Sequence, residues 1–447
     1  MDITIIGAGP AGLFLGSALA RRGHRVTAVD RDPGPLPDGS WPRRGVMQFH
    51  HAHAFRQTVA EALARELPQA LDLWHEAGAE PIEVTPPDGG TVRLGLRSRR
   101  ETFERSLRTV ATDTPGFTLR SGHVESVLDD GWRARGVIVD GARLDADLVV
   151  DASGRAGRAT RDLATRAGIG GPCGQAYVDR VYRLRPGADP GPMTNPIVWT
   201  AELDGYLALV FPHEAGYFST LIVRRSDDVA LRGLRHQDAF EAAARALPGL
   251  DAWTHPDRAE PVTDVLAGGA LLNVFRRQTD EDGALVLPGL FFVGDSVATT
   301  TPVFGRGVTT TLWQCEALLS LLDHDCDDLV GAGHAFDEWS VDTMRPWVED
   351  HIQMDLAHVD RWNGSDIDLA SPLPSDLILA AAEVRPDIMA SAQGYLSMHA
   401  QPETLRAAEP IAREVYAGGW RPAYAPGPTR DELAEIVAQA VAQPQSA

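Results

Sequence analysis

Hydrophobic residues recur with two different periods along this 447-residue chain, and the changes of period divide it. Residues 2–6 (DITII) form an apolar run of strand length. GAGPAG follows, and a helical pattern continues to Arg22, where Gly23 and His24 close it. Residues 25–30 read as the next strand and end at Asp30, which completes a compact β-α-β unit. Residues 31–45 are rich in Pro, Gly and Asp and read as a loop. A helix fits 53–77, with Phe55, Val59, Leu63, Leu67, Leu71 and Trp74 on one face. Another fits 100–112, where Phe103, Leu107 and Val110 share a face. Over 118–151 the period shortens to that of strands separated by Asp-Gly turns, which predicts a β-meander.

Residues 172–280 mix strands such as YLALVF and YFSTLIVRR with one helix near 236–247, and read as a separate sheet. GLFFVGD (289–295) is a further strand. It leads through a Gly-rich loop into a helix from about Thr309 to Leu322. Residues 331–440 are mostly helical, with loops at 363–374 and 418–429, and the terminal QPQSA is expected to be disordered. The predicted class is α/β (α+β). It combines a Rossmann-like unit with a β-meander, a mixed-sheet domain and a helical C-terminal region.

Composition changes this picture mainly by exclusion. The net charge is −21, from 41 basic and 62 acidic side chains, and every basic residue is arginine. Without lysine there is no Schiff-base chemistry and no Walker A phosphate site. The acidic balance argues against nucleic acid or an anionic membrane surface as partner. The three cysteines, Cys173, Cys315 and Cys326, form no CxxC pair or disulfide framework. No apolar run is long enough for a transmembrane helix, and the N-terminus reads as a strand rather than a signal peptide. A cytoplasmic location is expected.

Gly7, Gly9 and Gly12 form GxGxxG between a strand and a helix. Gly7 permits the tight turn, Gly9 lets backbone approach a pyrophosphate at the helix N-terminus, and Gly12 allows close helix–strand packing. Asp30 ends the second strand, where a carboxylate can accept ribose hydroxyls. This leaves FAD and NAD both open. The rest of the chain favours FAD, because a loop, helices and a meander replace the βαβ continuation of a simple NAD dehydrogenase. No second GxGxxG is present. The segment GLFFVGDSVATTTPVFGRGVTTTLWQ (289–314) adds an acid after a strand, suited to ribityl hydroxyls. Its Pro-x-x-Gly-x-Gly turn at a helix start can aim N–H groups and the positive end of the helix dipole at a flavin.

With these segments in view, the chain resembles the FAD-dependent monooxygenases with the p-hydroxybenzoate hydroxylase-type fold. The resemblance rests on GAGPAG with Asp30, DASGR at 151–155, GD at 294–295 with PVFGRG at 302–307, and SRRETFERSLR at 98–108. It covers about two-thirds of the chain. It implies that Gly7, Gly9, Ala11, Gly12, Asp30 and the adjacent Arg31 bind the ADP part of FAD, with Val124 near the adenine. It places Arg100 and Asp295 at the pyrophosphate–ribityl region. Pro302, Gly305, Gly307 and Val308 would line the isoalloxazine, and Asp151 would contribute from the DASGR strand end. Arg43 and Arg44 are further candidates for flavin or phosphate contact. The implied domains are an FAD-binding domain in two parts (1–171 and 281–330), a substrate-binding sheet domain (172–280) and a helical region (331–447).

DASGR stands where self-reducing hydroxylases usually carry Gly-Ala-Asp-Gly. With PVFGRG and RRGVMQFHHAH (43–53), it resembles the styrene monooxygenase and squalene-epoxidase-like branch, and also halogenases and geranylgeranyl reductases. The reductant is then NAD(P)H, used directly or through a separate flavin reductase. Flavin halogenases use a lysine and a WxWxIP motif, and this chain has neither. The expected reaction is insertion of one oxygen from O2, as an epoxidation or hydroxylation. A flavin C4a-hydroperoxide would deliver it to a small hydrophobic substrate of secondary-metabolite type. The alternative is a geranylgeranyl-reductase-like enzyme that inserts no oxygen.

No acid–base dyad is required, so no catalytic side chain is assigned. Trp199, Tyr206, Phe211, His213 and Phe304 could line the substrate pocket, and each equally suits core packing. His50, His51 and His53 lack a convergent acid, so no metal is expected. The apolar C-terminal helices could serve a homodimer or cover the pocket.

Overall fold

The computed structural model describes residues 1–43, 45–86, 89–269 and 271–442. Arg44 and the terminal QPQSA lie outside these residues. A five-stranded parallel sheet has the order Leu290–Phe292, Leu148–Asp151, Asp2–Ile6, Arg25–Asp30, Phe117–Ser121. Its strands are nearly continuous apolar runs because both faces are buried. Ile3, Ile5, Leu148, Val150 and Phe291 pack beneath the helices Pro10–Arg21, Arg100–Asp113 and Gly307–His324. Ile6, Val29, Val149 and Phe292 face the opposite way, onto a three-stranded antiparallel sheet. That sheet comprises Val124–Asp129, Ala134–Val139 and Ala142–Asp145. The meander is therefore shorter than 118–151, whose first and last strands belong to the parallel sheet.

The helix expected over 53–77 is broken. Phe55–Arg56 is a short strand, and the helices Gln57–Glu66 and Pro68–Glu76 follow. Pro68 lacks the N–H a continuing helix would need and instead starts the second one. The helix near 236–247 appears as Gln237–Ala246, followed by Pro248–Thr254. The helix after the Gly-rich loop is longer than expected, Gly307–His324.

A second sheet runs Trp199–Leu203, Tyr206–Pro212, Tyr217–Arg225, Gln175–Leu184, Ala259–Pro261, with Leu266–Gly268 also pairing to the long central strand. Strand alternation gives it two unlike faces. Val178, Tyr182, Trp199, Tyr206, Val210 and Phe218 pack under Gln237–Ala246 and the C-terminal helix Arg430–Ala442. Leu207, Leu209, Phe211, Leu221 and Val223 face Ala52, Ala54 and Val303. Arg430–Ala442 thus completes the core of the sheet domain. The preceding helices, from Arg345–Trp362 to Glu409–Ala417, enclose a separate core around Trp347, Tyr395 and Tyr416. Among the described residues no helix is long and apolar enough to cross a membrane.

Candidate functional site: a cleft between two glycine turns

The C-terminal ends of the parallel strands open into a cavity of about 380 Å³. This is where open α/β sheets bind ligands. Gly7, Gly9 and Ala11 line it from the first turn, Asp30 from the second strand, and Arg100 from the start of its helix. Asp295, Pro302, Gly305, Gly307 and Val308 line it from the distant second motif, and Ala152–Arg155 close one side. Segments separated by about 300 residues in sequence thus form one wall.

The glycines divide the work. A Cβ on Gly12 would lie 2.0 Å from the Gly7 carbonyl oxygen, and one on Gly7, at φ 102°, would lie 2.7 Å from the Ala152 carbonyl oxygen. Both positions are closed by packing. A Cβ on Gly9 would meet only Arg43, at 3.9 Å, so this turn is open to the cavity. Asp30 Oδ2 accepts from the Ala8 amide at 2.7 Å and Oδ1 from Asp32 at 2.8 Å, which fixes the carboxylate at the cavity edge. A carboxylate has further lone pairs for ribose hydroxyls.

Arg43 is 2% exposed and adopts a positive φ of 40°. Its Nε donates to Glu104 at 3.1 Å and its Nη2 to the Ala8 carbonyl at 2.9 Å. Nη1 lies 3.6 Å from Asp30 and 3.7 Å from Asp32 but makes no hydrogen bond among the described residues. Burial opposes its charge, yet Glu104, Asp30 and Asp32 together hold the guanidinium above its ordinary range. Glu104 is fully buried and also accepts from Arg100 Nε at 2.5 Å, so one carboxylate aligns both arginines at the cavity. Asp295 is pushed up by burial, with Arg100 and Arg155 opposing the shift.

These residues fit FAD. A cation with an unused N–H stands beside Gly9, a carboxylate ends the second strand, and a helix N-terminus with Gly305 and Gly307 faces the same space.

The second turn is anchored from outside the parallel-sheet unit. Arg306 is buried and donates to Asp350 at 2.8 Å, while Tyr395 donates to the same carboxylate at 2.7 Å. The Arg306 guanidinium packs over Phe304, Trp347 and Tyr395 at 5.2, 4.8 and 4.7 Å. Beneath Thr301, Asp355 accepts from Asn273 and Thr301 at 2.6 and 2.9 Å, and burial pushes its pKa up to about 6.

Several expected residues lie elsewhere. Asp151 is fully buried and accepts from Ser153 and Thr160, so it shapes the 152–160 turn without reaching the cavity. Gly12 packs against Gly7 and Ile5, the close helix–strand packing expected of it, and does not line the cavity; Val124 is core beside Val29, and Arg31 is exposed. Trp199 and Tyr206 point to the helix-covered face of the second sheet, where the Tyr206 hydroxyl donates to the Pro428 carbonyl. Phe211 faces the cavity side, packed with Val303 and Ala54. His213 is buried on Ser219 at 2.9 Å, and burial lowers its pKa to about 4. Phe304 is half-buried against His351.

Comparisons with known proteins agree with this architecture. Over residues 2–170 the chain matches the lycopene cyclase protein family. D-amino acid dehydrogenase 2 of Ralstonia nicotianae is 41% identical over 113 residues, which is 24% of this chain and 25% of that protein. The chain thus matches only a quarter of that relative's length. The flavin-dependent brominase Bmp2 superposes with a TM-score of 0.64 at 16% identity, over 99% of both chains. This is the fold of the FAD-dependent monooxygenases and halogenases. PqsL of Pseudomonas aeruginosa, described as a probable FAD-dependent monooxygenase, shares that monooxygenase fold. Its TM-score is 0.58 at 18% identity, over 81% of this chain and 98% of its own. The myxobacterial chondrochloren halogenase CndH gives 0.58 at 17%, over 98% and 96%.

Sequence reasoning missed Glu104, although Arg100 and Glu104 sit at the i,i+4 spacing that pairs charges on a helix. It also passed over Tyr177, which lines the cavity, and its strand neighbour Asp179; both are buried among other polar residues of Gln175–Leu184, so alternation alone does not single them out.

Proposed function

We propose that this protein is an FAD-dependent monooxygenase that transfers one atom of O2 to a small, largely hydrophobic molecule. The observation that carries the reading is the single cavity walled by the GxGxxG turn, Asp295 and the PVFGRG turn, which meets the apolar face bearing Phe211 and Leu209. Bound flavin supplies the redox chemistry and the activation of O2. This chain's residues do the rest. Arg43 and Arg100 hold the pyrophosphate. Asp30 and Asp295 take hydroxyls of the ribose and ribityl chain. The N-terminus of the helix starting at Gly307 would favour negative charge on a flavin held there. The sheet face and the Arg306-anchored turn exclude water from the reacting end. NAD(P)H supplies the electrons, directly or through a partner reductase. The absence of lysine argues against halogenation, despite the shared fold.

Labelled oxygen tests this. Holoprotein supplied with a flavin reductase, NADH and a panel of alkenes and phenols under ¹⁸O₂ should give products carrying one labelled atom. Unlabelled product with turnover surviving anaerobically would favour a reductase or dehydrogenase, a reading supported by the local match to D-amino acid dehydrogenase 2.

A further inference from the structure

The helix Arg345–Trp362 lies outside the parallel-sheet unit and holds both ends of the second turn. Its Asp350 takes Arg306 at 2.8 Å, and its Asp355 takes the Thr301 hydroxyl at 2.9 Å. The lower-numbered end of the turn meets the higher-numbered carboxylate, so the two segments lie side by side in opposite directions. Thr301, Pro302, Gly305 and Arg306 all line the cavity. The two carboxylates differ in one respect. Asp350 has a counter-charge in Arg306. The donors that reach Asp355 are neutral: Asn273 at 2.6 Å, Thr301 at 2.9 Å and Gln175 at 3.2 Å. Asp355 is nevertheless only 1% exposed. Asn273 also accepts from the Thr301 amide at 2.8 Å. On the other side, Thr301 Oγ1 lies 3.1 Å from Nδ1 of His351, which is fully buried. His351 Nε2 has no hydrogen-bond partner among the described residues.

We propose that Asp355 is the positioning residue of the second turn, and that its carboxylate form is the one competent to bind FAD. This rests on the placement of FAD between the two glycine turns, not on the reaction. The hydrogen bonds of the Asp355–Thr301–His351 chain run in a direction set by its protonation state. With Asp355 ionised, Thr301 donates to it and accepts from His351 Nδ1–H. The bare nitrogen is then Nε2, which has no hydrogen to place. When Asp355 takes up a proton, its O–H donates to Thr301, and the Thr301 hydrogen turns to His351 Nδ1. The imidazole must then carry its hydrogen on Nε2, a buried donor with no acceptor. Protonation thus weakens the hold on Thr301 and leaves the Arg306 end of the turn untouched. The cavity wall loses one of its two anchors.

The surrounding charges leave Asp355 as the group that titrates. Burial pushes its carboxyl up to about 6. Asp376, on Ser375–Ala380, adds to that rise, and His358 on its own helix opposes it. Burial opposes the charge of His358, yet Asp376 and Glu202 hold it above the ordinary histidine range, so it is charged at pH 6. Burial and Arg306 keep His351 well below that range, so it stays neutral. Burial and Asp355 push the Cys173 thiol up to about 12. On the strand Leu272–Arg276, Asn273 faces Asp355, and Arg276 alternates to the other side. Arg406, from Pro402–Ala408, is taken by Gln353 and Glu409, and Asp337, from Leu329–Thr343, by Arg277. Asp295 in the cavity is also raised by burial, and is unchanged in the variants below.

Fluorescence titration of flavin-free protein with FAD, from pH 5 to pH 8, reads the linkage without turnover. Wild type should bind about tenfold more weakly at pH 5 than at pH 8, with the step centred near pH 6. Asp355→Asn, which cannot ionise, should bind weakly throughout and show no step. Thr301→Val keeps the carboxylate and cuts the link, and should also flatten the profile. It decides the matter should Asp355→Asn fail to fold. For wild type at pH 6, calorimetry in two buffers of different ionisation enthalpy should show about half a proton released per FAD bound. A merely structural Asp355 would lower affinity on substitution without any step to lose. Binding by wild type that is independent of pH, no proton release, or a step that survives in Asp355→Asn or Thr301→Val would overturn the proposal and leave the FAD site standing. No FAD binding by wild type at any pH would overturn the FAD placement, and this proposal with it.

Discussion

Replacing Arg43 by methionine removes the cation that holds Glu104, Asp30 and Asp32 together. Arg43 is 2% exposed and Glu104 fully buried. Removing one partner from a buried ion pair costs about 3–5 kcal/mol, because the other charge is left without compensation. The lower end applies here. Glu104 keeps its contact with Arg100, and the Asp30 side chain is 18% exposed, so water can screen it. At about 1 °C per kcal/mol for a chain of this length, the flavin-free Arg43→Met protein should unfold about 3 °C below wild type. Adding Glu104→Gln should recover part of that loss, since the variant no longer buries a partly paired carboxylate. FAD affinity should fall at least about tenfold, or 1.4 kcal/mol, in either background. Differential scanning fluorimetry and a flavin titration read the two effects. An Arg43→Met protein with unchanged melting and unchanged FAD affinity would refute the assignment of this arginine to the cofactor site.

Other variants probe the remaining walls. Gly9→Val should leave melting of the flavin-free protein unchanged and abolish FAD binding. The backbone there is extended, at φ −82° and ψ −169°, and the added group points only into the cavity. Gly12→Ala should instead destabilise the flavin-free protein, because its Cβ would lie 2.0 Å from the Gly7 carbonyl oxygen. Arg306→Met should cost about 3–5 kcal/mol through Asp350, and Arg306→Met/Asp350→Leu should cost less than the two single changes summed, as a double-mutant cycle would show. His213 is held at about 4 by burial, below the ordinary 6.5, so the native state binds fewer protons than the unfolded chain. Its stabilisation is present above pH 6.5 and lost as pH falls towards 4, up to about 3 kcal/mol. Melting of His213→Gln should therefore depend less on pH across that window than wild type.

The parts of the site legible in the sequence are those whose chemistry is local. A strand, three spaced glycines and a terminal acid are specified within 30 residues, and the GD and PVFGRG turns within about 20. The arginine–carboxylate cluster was legible only in part, because Arg43 and Glu104 are 61 residues apart and meet only when the loop folds over the helix. Phe211 was distinguishable from Trp199 and Tyr206 only by face. Period-2 alternation separates the two faces of a strand without saying which one a helix will cover. That choice came from Arg430–Ala442, which crosses back to the sheet from the far end of the chain. The helix break at Leu67 was visible as Pro68, but the apolar stripe continues on both sides of it and hid the break.

The central claim is that one FAD lies across the cleft between the two glycine turns. Calorimetric titration of flavin-free protein with FAD tests it most directly. Saturable binding of one FAD per chain, weakened by Arg43→Met and abolished by Gly9→Val, is the predicted result. No binding, or binding that Gly9→Val leaves intact, would contradict it.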